Sequence, residues 1–169
     1  MIFIIALSLS MDAFSLSLAY GTNQINKKYQ LSTMVGLFHF VMPLIGSLLG
    51  NIILNIIKIR PNIIVSIILS FIGLSMVFKK EEKVSPVKTL LEQILFSVAV
   101  SLDSLSVGIG LKAITNNIFL SSIIFSVTAG CITYLGLLLG NKISNKIGFI
   151  SQTIGGIFLI SIGIIYLLK

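Results

Sequence analysis

Apolar residues fall in six long blocks along the chain, and charged residues lie almost wholly between them. Each block approaches the roughly 20 residues that an α-helix needs to cross a bilayer. The pattern predicts spans at about 1–19, 33–57, 62–78, 90–111, 118–140 and 147–168. The connections are rich in Gly, Asn, Lys, Pro and Glu, which break helices or prefer water. The longest connection, at 79–90, divides the chain near its middle and leaves no stretch for a soluble domain. The expected fold class is therefore an all-α polytopic membrane protein, one membrane domain over 1–169. The first block opens without a basic residue and carries Asp12, so it reads as a retained helix rather than a cleaved leader.

The blocks repeat. Ser10-Met11-Asp12-Ala13-Phe14-Ser15-Leu16-Ser17 resembles Ser101-Leu102-Asp103-Ser104-Leu105-Ser106-Val107-Gly108, at an offset of 91. Ile45-Gly46-Ser47-Leu48-Leu49-Gly50-Asn51 resembles Leu135-Gly136-Leu137-Leu138-Leu139-Gly140-Asn141, at an offset of 90. Ile72-Gly73 matches Ile162-Gly163, again at 90. The chain thus divides into repeat one (1–80), repeat two (91–169) and a linker at 79–90 expected in the cytoplasm. Three spans per repeat is an odd number, so the second copy must enter the membrane from the opposite side. That predicts two inverted-topology three-helix repeats, an architecture many secondary transporters use, with the substrate near mid-membrane between the repeats.

Composition sharpens the class. Hydrophobic residues make up 56% and charged residues 10%, against about 45–50% and 25% in soluble domains. Such a chain could not cover its apolar surface in water, which excludes a soluble enzyme and a nucleic-acid-binding module. The net charge of +7 is explained by topology. Lys58, Arg60, Lys112 and Lys169 fall on the face that holds both termini. Lys27, Lys28, Lys79, Lys80, Lys83, Lys88, Lys142 and Lys146 fall on the other. The positive-inside rule places the eight in the cytoplasm and both termini outside.

Candidate chemistry is sparse. Glu81 and Glu82 lie in the linker, and Glu92 opens the fourth span, where the helix dipole favours a carboxylate. Asp12 and Asp103 lie well inside apolar spans, roughly 15 and 18–20 Å from their helix starts at 1.5 Å per residue. An aspartate at mid-span costs about 2.5–3.5 kcal/mol to insert. One reading is a structural hydrogen bond between helices; the other is a pair of hard oxygen ligands suited to Mg, Ca or Mn. Ser8 and Ser15 share the helical face of Asp12, and Ser106 that of Asp103, either as packing or as extra oxygens. His39, the single histidine, lies on one face with Gly36, Pro43, Gly46 and Gly50. Pro43 can free the His39 carbonyl, so ring or carbonyl could meet an ion, or the ring could bond a neighbouring backbone. Thr133 is among the matching polar positions of the fifth span. Cys131, the single cysteine, reads as an apolar filler. There is no nucleotide-binding GxxxxGK[ST] loop, no cysteine pair and no nucleophile beside a base, so an enzyme is not expected.

Ser-Met-Asp-Ala-Phe in span one, Pro-Leu-Ile-Gly in span two and Ser-Leu-Asp-Ser-Leu-Ser-Val-Gly in span four resemble the MntP-type manganese efflux pumps of bacteria. The YtaF-like sporulation membrane proteins share the layout. The resemblance implies secondary transport of a divalent cation, Mn2+, out across the bacterial cell membrane, with Asp12 and Asp103 as key carboxylates. Better-known members carry a glutamate where this chain has His39, which bears on ion preference and coupling. The expected metal set is Asp12, Asp103 and His39, supported by Ser8, Ser15, Ser106, Pro43 and Thr133. The expected partners are a divalent metal ion, protons and the lipid bilayer, with no nucleic acid and with a homodimer left open. No cofactor is expected, Mn2+ being cargo, and efflux is expected to run by proton antiport. The alternatives are a non-transporting membrane binding module and a sporulation-associated assembly factor.

Overall fold

In a computed structural model the described residues form seven α-helices. The described residues are 1–21, 27–56, 60–78, 89–140 and 145–168; most of the linker, 79–88, lies outside them. The helices are α1 (Ile2–Gly21), α2 (Lys28–Ile56), α3 (Pro61–Phe78), α4 (Leu90–Val100), α5 (Leu102–Ile114), α6 (Ile118–Leu139) and α7 (Asn145–Leu167). Among the described residues six segments are long and apolar enough to cross a membrane, with α4 and α5 together forming the fourth, Leu90–Lys112. The outward surface is apolar: Phe71 is 73% exposed and Leu48 65%. Lipid, not water, suits such a surface.

The helix ends follow from their residues. α4 starts with a capping box: Thr89 N–H donates to a Glu92 carboxylate oxygen (2.9 Å), and Glu92 N–H donates back to Thr89 Oγ1 (3.3 Å). α6 starts at Asn117, whose Oδ1 accepts from Leu120 N–H. α3 opens on Pro61, where a missing N–H costs nothing. One feature was not foreseen from the apolar block at 90–111. The fourth span breaks at Ser101, where φ is −98° and ψ 2°. The Ser101 N–H is shared between the carbonyls of Ser97 and Val98, and its hydroxyl donates to Ser97 O at 2.8 Å. A serine bonding back to its own helix competes with the regular ladder and bends it.

Lipid tails are as apolar as leucine, so helices in a bilayer associate by close packing of small residues. The glycine seams show this, and they match between the halves. On the α2–α5 seam Gly46 lies against Leu105 and Gly108, and Gly50 against Ile109. On the α1–α6 seam Gly136 lies against Phe14 and Ser17, and Gly140 against Leu18. These are the same contacts moved by 90 or 91 residues. Gly73 meets Gly156 and Ile160 across α3–α7, while Gly163 meets Ser66 and Ser70, again a matched pair. The contact order shows α1 parallel to α6 and α2 parallel to α5. It runs the other way across α3–α7, and across α2–α6, where Tyr29 stacks on Tyr134 and Phe40 meets Phe119.

Two apolar clusters fill the bundle. One joins Ile5 and Leu9 to Leu69, Val107, Phe125 and Leu159. The other joins Ala13, Leu31, Val35, Val100, Ala129 and Leu137. The polar groups of interest sit at or between these clusters.

Candidate functional site

Asp12 is 8% exposed, halfway along α1. Its Oδ1 accepts a hydrogen bond of 2.7 Å from Gln152 Nε2 on α7. α7 comes this close because Gly155, one turn away, lies against the Ser8 carbonyl and Met11; a Cβ there would stand 2.7 Å from that carbonyl. The α1–α7 seam therefore holds carboxylate and amide together within the bundle. Ser8 is buried and donates to Ile4 O at 2.8 Å. Ser15 is half-buried.

Asp103 is half-buried and occupies the first turn of α5, directly after the break at Ser101. Its Oδ1 accepts from the Ser104 N–H at 2.8 Å. The break gives this carboxylate a helix N-terminus inside the span, where the dipole and free N–H groups favour negative charge. Ser106, also half-buried, donates to Leu102 O at 3.3 Å.

His39 is buried on α2, with Nδ1 2.9 Å from Val35 O and Nε2 without a hydrogen-bond partner. Gly36, Pro43, Gly46 and Gly50 are buried with it, so the face expected from their spacing is an inward face. α2 runs on through Pro43. Pro43 packs its backbone on α5: a Cβ at Gly108 would stand 2.6 Å from the Pro43 carbonyl. One turn earlier on both of these parallel helices come His39 and Ser104, at one level of the seam. Ser104 Oγ also lacks a partner, as do Thr133 Oγ1 and Gln93 Oε1. Buried polar atoms are nearly always bonded, so four such atoms in one bundle mark groups able to take a ligand or water.

The α2–α5 seam thus brings His39 beside the segment that carries Asp103. Asp12 lies on another seam, α1–α7, and α1 meets α5 only at the margin. No three of His, Cys, Asp and Glu cluster among the described residues. Gln152, Gln93 and Ser104 were not singled out from sequence. A signal did exist for the glutamines, because an amide inside an apolar span needs a partner as a carboxylate does. Cys131, expected as an apolar filler, is instead exposed on the outer surface of α6.

Fold and site together define a multi-pass helical membrane protein with a carboxylate, an imidazole and two amides buried within its spans and a second carboxylate half-buried. A family model described as "Putative manganese efflux pump" matches residues 22–167. The chain belongs to this MntP family. It is 36% identical over 172 residues to a relative from Bacillus velezensis, covering 98% of this chain and 92% of that protein. A relative from Bacillus pumilus is 34% identical, with 95% and 90% covered. One from Oceanobacillus iheyensis is 35% identical, with 98% and 94% covered. All three carry the name "Putative manganese efflux pump MntP". No solved structure matches the chain.

Proposed function

We propose that this protein exports a divalent metal cation, Mn2+, from the cytoplasm by proton antiport, using Asp12, Asp103 and His39 to hold the ion. The observation that carries the reading is a carboxylate, Asp12, buried within a span and held by an amide of another helix, in a chain of this family. Asp103 stands 91 residues on, half-buried at a helix N-terminus within the fourth span. Ser8, Ser15, Ser106, Thr133 and the carbonyl freed by Pro43 would supply further oxygens. A carboxylate oxygen that coordinates a metal cannot also carry a proton. Metal and protons would therefore occupy the pair in turn, and protons entering from outside would discharge the carrier for its return. The chain carries no phosphate-binding loop, so an ion gradient supplies the drive.

Matched glycine seams and the opposed directions of α2 and α6, and of α3 and α7, support inverted repeats as the frame for alternating access. The lysine distribution supports termini outside the cytoplasm. The buried, unpartnered Nε2 of His39 would add a nitrogen ligand, which favours Zn or Co more than an all-oxygen site would.

Purified protein in liposomes tests the proposal. With an inward-directed proton gradient it should move Mn2+, and Asp12→Asn and Asp103→Asn should each abolish the flux. Parental flux in both variants at every pH would leave the carboxylates structural. A panel of Mn2+, Zn2+, Co2+ and Cd2+ reads the contribution of His39. A cysteine placed at position 169, in a Cys131→Ser background, should react with a membrane-impermeant reagent in intact cells.

A further inference from the structure

The outer surface of the α2–α6 seam carries a groove of about 610 Å³. Gly36 and Gly130 form its floor, and Leu37 and Val127 line its walls. The stacked rings of Tyr29 and Tyr134 stand at one end and Phe40 at the other. Gly36 and Gly130 let the helix backbones approach, which leaves a trough where side chains would otherwise project. Nothing in the proposed transport cycle uses this feature.

We propose that the groove holds one acyl chain of an anionic phospholipid, with the phosphate at the first turn of α2 beside Lys27 and Lys28. Length favours a lipid tail. Tyr29 and Phe40 are eleven residues apart, about 16 Å of helix at 1.5 Å per residue. That is half of the roughly 30 Å hydrocarbon core, the depth of one leaflet. Beyond Phe40, α2 turns its small residues to α5 instead, where Gly46 meets Gly108. Chemistry favours a lipid too. Tyrosine rings settle at the headgroup level, with the ring in the apolar zone and the hydroxyl towards water. The tyrosine pair marks the mouth of the groove, and Lys27 and Lys28 immediately precede Tyr29. Lys27 is exposed and Lys28 half-buried. The start of α2 adds unpaired backbone N–H groups, which bind phosphate well. On the orientation proposed above this mouth faces the cytoplasmic leaflet, which carries the anionic lipids.

Native mass spectrometry of the purified full chain tests this, with phosphatidylglycerol and phosphatidylcholine of identical tails as probes. One phosphatidylglycerol per chain should be retained in preference to phosphatidylcholine. Lys27→Gln and Lys28→Gln should each weaken that retention about fivefold, while Lys112→Gln, at the far end of α5, should not. Cys131 lines the groove. Cys131→Phe should fill it and release both lipids, with the helical circular dichroism unchanged. In the parent, phosphatidylglycerol should slow alkylation of Cys131 by N-ethylmaleimide. Equal retention of the two lipids, or retention indifferent to both lysines, would overturn the proposal. So would dimers in the spectrum with Cys131–Cys131 cross-linking by a short bismaleimide, which would assign the groove to a second copy.

Discussion

Replacing Gln152 by Leu removes the amide that donates to Asp12 and leaves an apolar side chain of similar length in its place. The bond is 2.7 Å long, at the short limit typical of hydrogen bonds to a charged acceptor. Asp12 is 8% exposed, so little water can replace the lost donor. A hydrogen bond to a charged group is worth about 1.5–3 kcal/mol, whereas neutral interhelical bonds in membranes average about 0.6 kcal/mol. A double-mutant cycle of Gln152→Leu with Asp12→Ala separates the pair term from the cost of each truncation. Unfolding by SDS in mixed micelles is a suitable assay, followed by circular dichroism because the chain has no Trp. The expected coupling is about 1.5–3 kcal/mol, the magnitude for an ionised Asp12. A coupling at or below about 0.6 kcal/mol would refute the reasoning, because it would make the bond an ordinary neutral contact.

Four further outcomes are expected. Gly46→Ala places a Cβ on the backbone carbonyl of Leu105, which cannot swing aside; it should cost about 1–3 kcal/mol in SDS unfolding. Gly130→Ala, whose Cβ would stand at an ordinary 3.4 Å from Ser32 O, should be tolerated in the same assay. Thr89→Ala removes the capping box of α4 and should lower stability by about 0.5–2 kcal/mol. Asn62 stands 90 residues before Gln152, as Asp12 stands 91 before Asp103. If the halves exchange roles during transport, Asn62→Leu should depress Mn2+ flux in liposomes with little change in the unfolding midpoint.

Span number and limits could be read from the chain because a bilayer imposes one strong rule, about 20 apolar residues per crossing. The expected limits at 62–78 and 118–140 differ from α3 and α6 by one residue at one end. The second span starts earlier than expected, at Lys28, because a helix that has left the hydrocarbon can continue through lysine and tyrosine. The inward face of α2 was legible for another reason. Gly36, His39, Pro43, Gly46 and Gly50 keep helical spacing, and small residues in membrane helices mark contact. The break at Ser101 was not legible. It depends on a hydroxyl that bonds back to the helix, and Ser8, Ser10 and Ser97 do the same without breaking theirs. The Asp12–Gln152 pair was hidden as well, since its partners are 140 residues apart and match no repeat offset. Cys131 was misjudged because apolar residues in a membrane protein face lipid as readily as core, so hydrophobicity alone does not report burial.

The two halves agree in most of their seams and differ in one place. Ser10 donates to Ala6 O at 2.7 Å, and Ser101 to Ser97 O at 2.8 Å, the same bond 91 residues apart. Yet α1 is unbroken around Ser10, while the fourth span breaks at Ser101. The surroundings differ in step. On α7, Gly155 meets Ser8 and Met11, at the turn before Asp12. Val65, 90 residues before Gly155, would meet positions 99 and 102 if the halves matched. Val65 instead packs on Gly110, two to three turns further along. The α3–α5 seam is therefore shifted relative to the α7–α1 seam, although α2–α5 and α1–α6 match. The aspartate segments are near copies, Ser10–Asp12 and Ser101–Asp103, but their packing partners are not: Gly155 admits the Ser8 carbonyl, while Val65 carries a branched side chain in its place. The difference falls where Asp12 is buried against Gln152 and Asp103 is half-exposed. On the inverted-repeat reading proposed above, one seam closed and its twin displaced would distinguish the two sides of the membrane. On the transport cycle proposed above, sliding of α3 along α5 with relief of the Ser101 break would bury Asp103 and release Asp12.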